Sequence, residues 1–492
     1  MAGFLKRFGA FLQNDHNLPL IAGIASGLYP WVFYFSNNYK FVNSWEHFFF
    51  FLTRFVLLPM AVYYILYFLL RKKHLDFYKQ RILPTLSSGV FLLLSMIALF
   101  ATIGWKKKVA LVVAVVFVFF VTKKVKDLLP KIIVIQFLLV LTTVFSVAEV
   151  VKKYVTYDHS WISQSDAITE TQFSKTPNVY VIQPDGYVNF SEINRGYYNF
   201  DNSTFKDWLM ANNFTIYEDF RSNYHSTLTS NSSLFGMQHH YYNVVDERKA
   251  ILDDNPVVRI FNQNGYTTHF LAEVPYLQTN RPDIAFDYTS FDDNTLPYLS
   301  KGLDTKRLIS EDFPPLLQQQ NGANFYFLEK LLPSHIATFK SDQTTKDNER
   351  SKYLNRLQDA NTWLQDIVQQ IERVDPNALI IIAADHGGFV GWEYTMQTKN
   401  KTDDADKIKS IFSTLLAVKW PDNNPPEFHQ ELKTSVNLFR IVFAYLSDNP
   451  KLLEQLQPNR SYIKLSENGL YNVYEYIDEN GTTVFKELPS KE

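Results

Sequence analysis

An apolar run ends on two groups that can bind metal. The stretch ALIIIAADHGGFVGW (378–392) passes from a buried-strand pattern to Asp385 and His386, then to two glycines. Neighbours in an extended chain point to opposite faces, so this acid and imidazole meet only where the backbone turns. Gly387 and Gly388 supply that freedom. A carboxylate oxygen with an imidazole nitrogen suits zinc or manganese. The competing reading is an ordinary turn, with Asp385 capping it and His386 in solvent. A second acid, Asp185, ends another apolar run, NVYVIQPDGY (178–187). Ligands in α/β sheets collect at the carboxyl ends of strands, and two acidic tips favour the metal reading.

A metal site needs something to activate. RSNYHSTLTSNSSLFGMQHHYY (221–242) is crowded with hydroxyls. Read as a turn and then a helix, it places Ser226 or Thr227 at the cap and first turn, where backbone N–H groups favour an anion. A metal-bound hydroxyl there loses its proton readily and becomes a nucleophile. Ordinary capping in a Ser/Thr-rich loop is the alternative. His239 and His240 are also adjacent, but helical neighbours diverge by about 100°, which favours a structural or substrate-contact role over a metal pair.

The elements that must position these groups are those of an α/β domain. Strands are expected at Asn178–Pro184, in THFLAEVP, NFYFLEKL and ALIIIAAD, and in STLLAVKWP. A helix is expected over 349–374 from the apolar stripe Tyr353, Leu357, Ala360, Leu364, Ile367, Ile371 and Val374. Thr434-Ser435 should cap a helix through VNLFRIVFAYL. A hairpin is expected around Asn480-Gly481. Strands alternating with helices imply a mostly parallel sheet covered on both faces.

The first 150 residues differ in kind. They carry 16 Lys and Arg against 5 Asp and Glu, while the remainder carries 32 against 45. A basic, apolar half joined to an acidic, polar half indicates a membrane anchor and a soluble domain. Five apolar stretches read as spans: roughly Leu18–Phe35, Phe48–Leu70, Leu83–Trp105, Val109–Val121 and Ile132–Val151. Lys/Arg bias places the soluble domain outside the cytoplasm. Arg54 and Glu149 fall within these stretches, either snorkelling to an interface or contacting a lipid head group. The expected division is a transmembrane domain at 1–151, a polar linker at 152–177 and a catalytic domain at 178–492. The chain has no cysteine, which excludes disulfides, thiolate zinc sites and a cysteine nucleophile.

NVYVIQPDGY, SNYHSTLTSNSSLFGM and IIIAADHGGF, in this order and on these element types, resemble the sulfatase-like branch of the alkaline phosphatase superfamily. With the N-terminal spans, the chain looks most like membrane phosphoethanolamine transferases and lipoteichoic acid synthase-type phosphoglycerol transferases. The resemblance covers roughly residues 175–445. It implies an alkaline-phosphatase-like α/β sandwich and one divalent metal, zinc or manganese, on Asp185, Asp385, His386 and Thr227. Thr227 would also be the nucleophile. FYFLEKLLPSHIATF resembles the segment that carries a substrate-binding histidine, here His335, which could stabilise the transferring group or protonate the leaving group. The implied partners are a membrane lipid donor and a glycan or lipid acceptor, with no nucleic acid. The implied location is the inner (plasma) membrane, with the catalytic domain on the periplasmic or extracellular side. The lipid-using transferases usually supply Glu where this chain has Asp185. The Asp-x-x-x-His element of a two-zinc phosphodiesterase is absent upstream of Asp385, as is the sulfatase Cys/Ser-x-Pro-x-Arg element. Formylglycine chemistry is therefore not expected. The rival expectations are an ester hydrolase that uses water and a non-catalytic envelope-assembly protein on the same fold.

Overall fold

Strands built from Val, Ile, Leu, Phe and Tyr without alternation must be covered on both faces, and this chain covers them. The structure, a computed structural model, describes residues 14–100, 103–253, 255–299, 305–319, 321–467 and 470–489. It divides into two units. One is Met1–Thr156 with Thr279–Arg281 and Leu296–Lys301, and the other is the remainder.

The first unit is helical. Three helices are long and apolar enough to cross a membrane: Leu18–Asn37, Trp45–Leu70 and Leu75–Leu99. A bent pair of helices raises the number to four if it forms one span. This corrects the expected five. The fourth stretch lies in a 17-residue helix, Trp105–Val121, whose first turn is Lys106–Lys108. Its apolar part rises only about 20 Å, short of a roughly 30 Å hydrocarbon core. The fifth stretch is bent by 44° after Leu141. Thr142 and Thr143 sit at the bend and turn their hydroxyls back onto the Leu139 and Val140 carbonyls, at 2.6 and 2.7 Å. Such back-bonding competes with the helical ladder and bends it. Within the unit, Gln136 bonds to Ser87, and the Tyr78 hydroxyl donates to the Tyr63 carbonyl at 2.8 Å, so these buried polar groups are partnered.

The second unit is α/β. Its main sheet contains β1 (Val179–Pro184), β2 (Thr215–Ile216), β3 (Thr267–Ala272), β4 (Tyr288–Thr289), β5 (Asn324–Lys330), β6 (Leu379–Ala383) and β7 (Leu416–Lys419). The order is β2-β7-β6-β1-β5-β3-β4. β1 runs parallel to β5 and β6, and β3 parallel to β5 and β4, while β7 is antiparallel to β6 and β2. On one face Tyr180, Ile182, Tyr326, Leu328, Ile380 and Ile382 meet the long helix Lys346–Val374. That helix buries the predicted stripe from Tyr353 to Ile371, but Val374 at its end is half exposed. On the other face Val179, Val181, Phe325, Phe327, Leu379 and Ile381 meet helices Thr227–Gly236 and Leu438–Leu446.

A second sheet joins β8 (Ser461–Glu467), β9 (Leu470–Ile477) and β10 (Thr483–Glu487) in antiparallel order. The Asn480-Gly481 turn lies between β9 and β10, with Gly481 at φ +80°. Segment 157–177 is not an extended spacer. Trp161 and Ile168 are buried, and buried Arg440 pairs with Asp166 at 2.6 Å.

Candidate metal centre

Asp185 and Asp385 follow adjacent parallel strands, β1 and β6, so the same end of the sheet presents both. Gly186 has φ +72°, and a Cβ there would lie 2.7 Å from the Ser334 carbonyl carbon; only glycine fits. After Asp385, Gly387 lies so close to the Ser410 carbonyl oxygen that a Cβ would sit 2.3 Å from it. These tight passages fold both acidic tips over one point. The ligand-type atoms of Asp185, Asp385 and His386 lie within 4.8 Å of one another, and all three residues are buried.

Hydrogen bonds fix the orientation of each group. The His386 Nδ1 lies 2.9 Å from the Gly387 carbonyl, which can only accept, so Nδ1 carries a proton. This leaves Nε2 as the atom facing Asp185 Oδ1 and Asp385 Oδ2, each at 3.4 Å. The Gly186 N–H donates to Asp385 Oδ1 at 3.1 Å. Asp385 Oδ2, fully buried, has no hydrogen-bond partner among the described residues. Thr227 completes the group: its hydroxyl donates to Asp185 Oδ1 at 3.0 Å, and Oγ1 is 3.2 Å from His386 Nε2.

This donor set fits a divalent cation. Two carboxylate oxygens, an imidazole lone pair and a hydroxyl oxygen converge in a dry place, and uncompensated acceptors are expensive there. The electrostatics show the same tension. Burial raises the Asp385 carboxyl, and Asp185 raises it further against the opposing effect of His386. Burial disfavours the His386 imidazolium, but the two carboxylates outweigh it and raise its pKa.

Thr227 is the first residue of helix Thr227–Gly236, with Ser226 as an extended N-cap accepting from the Thr229 N–H. Ser230, three residues on, donates to the Asp385 carbonyl at 2.7 Å and ties the helix to the metal loop.

His335 lies beside this group rather than in it. Its ring centre is 5.9 Å from that of His386 and 5.8 Å from that of Phe389. The Nδ1–H donates to the Ile336 carbonyl at 2.6 Å, which leaves Nε2 as the lone-pair nitrogen. Burial lowers its pKa, against the pull of Asp185, and favours the neutral ring. His239 and His240 stand apart: the Nε2 atoms face the Pro458 and Thr229 carbonyls at 2.9 and 2.8 Å, and His240 stacks on Tyr224.

Several participants escaped the sequence reading. Glu329, near the end of β5, is fully buried and accepts from the Tyr276 hydroxyl at 2.6 Å. Burial raises its carboxyl to about 8, with Asp385 and Asp185 adding to the rise. An acid at the tip of an apolar strand was the signal, the same one that marked Asp185 and Asp385. His225, two residues before Thr227, is held down to about 4 by burial and then by His386. Tyr353 looked like plain core. Its hydroxyl donates to the Gly186 carbonyl at 2.9 Å and accepts from the Val188 N–H at 3.2 Å.

The sulfatase family model matches residues 177–448. No curated protein matches the chain. Among solved structures, the C-terminal periplasmic domain of EptC from Escherichia coli is similar at 12% identity and a TM-score of 0.42, covering 62% of this chain and 93% of that one. Lipooligosaccharide phosphoethanolamine transferase A from Neisseria meningitidis aligns at 12% identity and a TM-score of 0.41, covering 73% and 75%. The lipoteichoic acid synthase LtaP from Listeria monocytogenes aligns at 16% identity and a TM-score of 0.42, covering 66% and 91%. With more than half of its length matched by the family model, from just before β1 to just after helix Leu438–Leu446, the chain belongs to the sulfatase family of enzymes.

Proposed function

We propose that this protein is a membrane-anchored, metal-dependent transferase with Thr227 as its nucleophile. It would move a phosphoryl-linked head group from a lipid or other phosphodiester to a cell-envelope glycan or lipid. The observation that carries this reading is the placement of the Thr227 hydroxyl against Asp185 and His386 at the first residue of a helix. Asp185, Asp385, His386 and Thr227 are the residues that would hold one ion, zinc or manganese. When bound, that ion neutralises phosphoryl oxygens and lowers the pKa of the hydroxyl.

The chain's own groups supply the rest. Asp185 Oδ1 accepts the Thr227 hydroxyl hydrogen and aligns Oγ1. The positive end of the helix dipole favours a negatively charged phosphoryl group at Thr227. Oγ1 gives up its proton and attacks phosphorus in line, the bond to the donor alcohol breaks, and the departing oxygen takes the equivalent of the proton that Thr227 released. In the second displacement the acceptor hydroxyl gives up its proton and attacks phosphorus, the bond to Thr227 Oγ1 breaks, and Oγ1 takes a proton in return to restore the hydroxyl. His335 Nε2, unprotonated on a neutral ring, is the base for that step. Long apolar helices in the same chain favour a lipid donor. Lys/Arg clusters such as Arg71-Lys72-Lys73 favour a catalytic domain on the periplasmic or extracellular side.

Full-length protein incubated with labelled bacterial lipid extract and envelope glycan tests the reading. Label is expected in the acceptor, dependent on metal and on Thr227. Label released only as a free water-soluble head group would replace the transferase with a hydrolase.

A further inference from the structure

The long helix Lys346–Val374 presents three polar side chains at i, i+4 and i+7: Glu349, Tyr353 and Arg356. These spacings place them on one helix face. Each leaves its own helix and bonds to the backbone of a loop at the metal centre. Arg356 Nε donates to the Pro333 carbonyl at 2.7 Å, and its Nη2 donates to the His335 carbonyl at 2.9 Å. The Glu349 carboxylate accepts from the Ala337 N–H at 2.8 Å. Tyr353, between them, holds Gly186 and Val188.

The turn under His335 needs such support. Ser334 has φ +61°, a conformation that side chains other than glycine adopt at a cost. Its N–H donates to the Asp185 carbonyl at 2.7 Å. One side of the turn is thus pinned by the residue that carries a ligand carboxylate, and the other by the Arg356 fork. Among the described residues the imidazole between them makes a single hydrogen bond, to its neighbour Ile336, which alone does not fix a ring in space.

We propose that Arg356 and Glu349 are positioning residues that clamp the Pro333–Ala337 segment and so hold the His335 imidazole beside His386. Arg356 grips the start of the segment and Glu349 its end. All three bonds are charge-assisted, and the rigid rod that carries the two side chains sets the separation of the two grips. The helix acts as a ruler between the His335 loop and the Asp185–Gly186 loop, because Tyr353 bonds the second from the same face. The consequence for catalysis rests on the function proposed above; the consequence for His335 does not.

The test uses the full chain and two readouts. The first is the rate at which diethyl pyrocarbonate modifies His335, read by peptide mass spectrometry. The second is hydrolysis of bis(p-nitrophenyl) phosphate. Arg356→Gln should raise the His335 modification rate several-fold and leave His239 unchanged. It should lower kcat by about 10- to 100-fold with KM within about two-fold, as expected for a catalytic group displaced by roughly an ångström. Arg356→Lys, which retains one donor to these carbonyls, should recover part of both effects. Glu349→Leu tests the other end and should reproduce the His335 signature if Arg356→Gln fails to fold. An unchanged His335 rate in folded Arg356→Gln and Glu349→Leu would overturn the clamp. A raised His335 rate in the variants, together with a wild-type protein that cleaves no diester, would leave the clamp standing and count against the proposed function.

Discussion

Asp385 Oδ2 and His386 Nε2 lie 3.4 Å apart although the two residues are neighbours at a strand end. A continued strand would send them to opposite faces. The chain instead turns at Gly387, whose N–H donates to the Ile411 carbonyl at 2.7 Å. The adjacent Gly388 passes against the Tyr353 ring, where an added Cβ would meet the ring at 2.2 Å. The pairing of acid and imidazole is a product of two close backbone approaches.

Gly388→Ala should therefore destabilise the catalytic unit by about 1–3 kcal/mol through overpacking against Tyr353. Chemical denaturation of the full chain measures it. An alanine variant as stable as the wild type would mean that the Tyr353 ring yields without loss.

Tyr353→Phe keeps the ring and removes the hydroxyl. The Gly186 carbonyl loses a donor and the Val188 N–H loses its acceptor, both in a buried place. A loss of about 1–3 kcal/mol is expected. A change below a few tenths would show that these backbone groups find other partners.

The metal-centre residues predict ligand-linked stability. A divalent ion present at one hundred times its dissociation constant should stabilise the folded chain by about 2.7 kcal/mol. Asp385→Asn should abolish the increment, because its Oδ2, without a hydrogen-bond partner among the described residues, lies 3.4 Å from His386 Nε2. Thermal unfolding with zinc, with manganese and with chelator measures the effect. Equal stabilisation of Asp385→Asn would locate the ion elsewhere.

Glu329 gives a pH dependence. Its carboxyl is raised to about 8 by burial, from the usual value near 4.5. Between those values the folded chain holds a proton that the unfolded chain has released. This contribution to stability is complete below about pH 4.5 and is lost as pH rises through about 8, at up to about 1.4 kcal/mol per pH unit. Glu329→Gln mimics the protonated acid and should flatten the slope over that window. A slope that persists in Glu329→Gln would assign it to another group.

Much of the site was legible because it is local. Strand tips that end in acids mark where ligands gather, and that rule singles out Asp185 and Asp385; His386 and the grouping of all three as ligands come from the family resemblance. Capping chemistry leaves Ser226 and Thr227 both open; the choice of Thr227 rests on the resemblance, with Ser230 three residues on as in the family's nucleophile element. What could not be read is tertiary. Tyr353 and Arg356 look like a core position and a solvated charge, and only the packed sheet brings the loop backbones to them. Glu329 carries the same signal as the other two acids, because it too stands near the tip of an apolar strand, NFYFLEKL. The span count failed on physical length. Val109–Val121 is apolar enough but short, and the fifth stretch bends at Thr142-Thr143, residues that a hydropathy window averages away.

The most direct measurement is the intact mass of the full-length protein, wild type and Thr227→Ala, after incubation with bacterial lipid extract and zinc or manganese. The account predicts a discrete adduct on the wild type, mapped to Thr227 and absent from a folded, metal-binding Thr227→Ala. An adduct of the same mass on Thr227→Ala, or none on a metal-loaded wild type, would contradict Thr227 as the nucleophile.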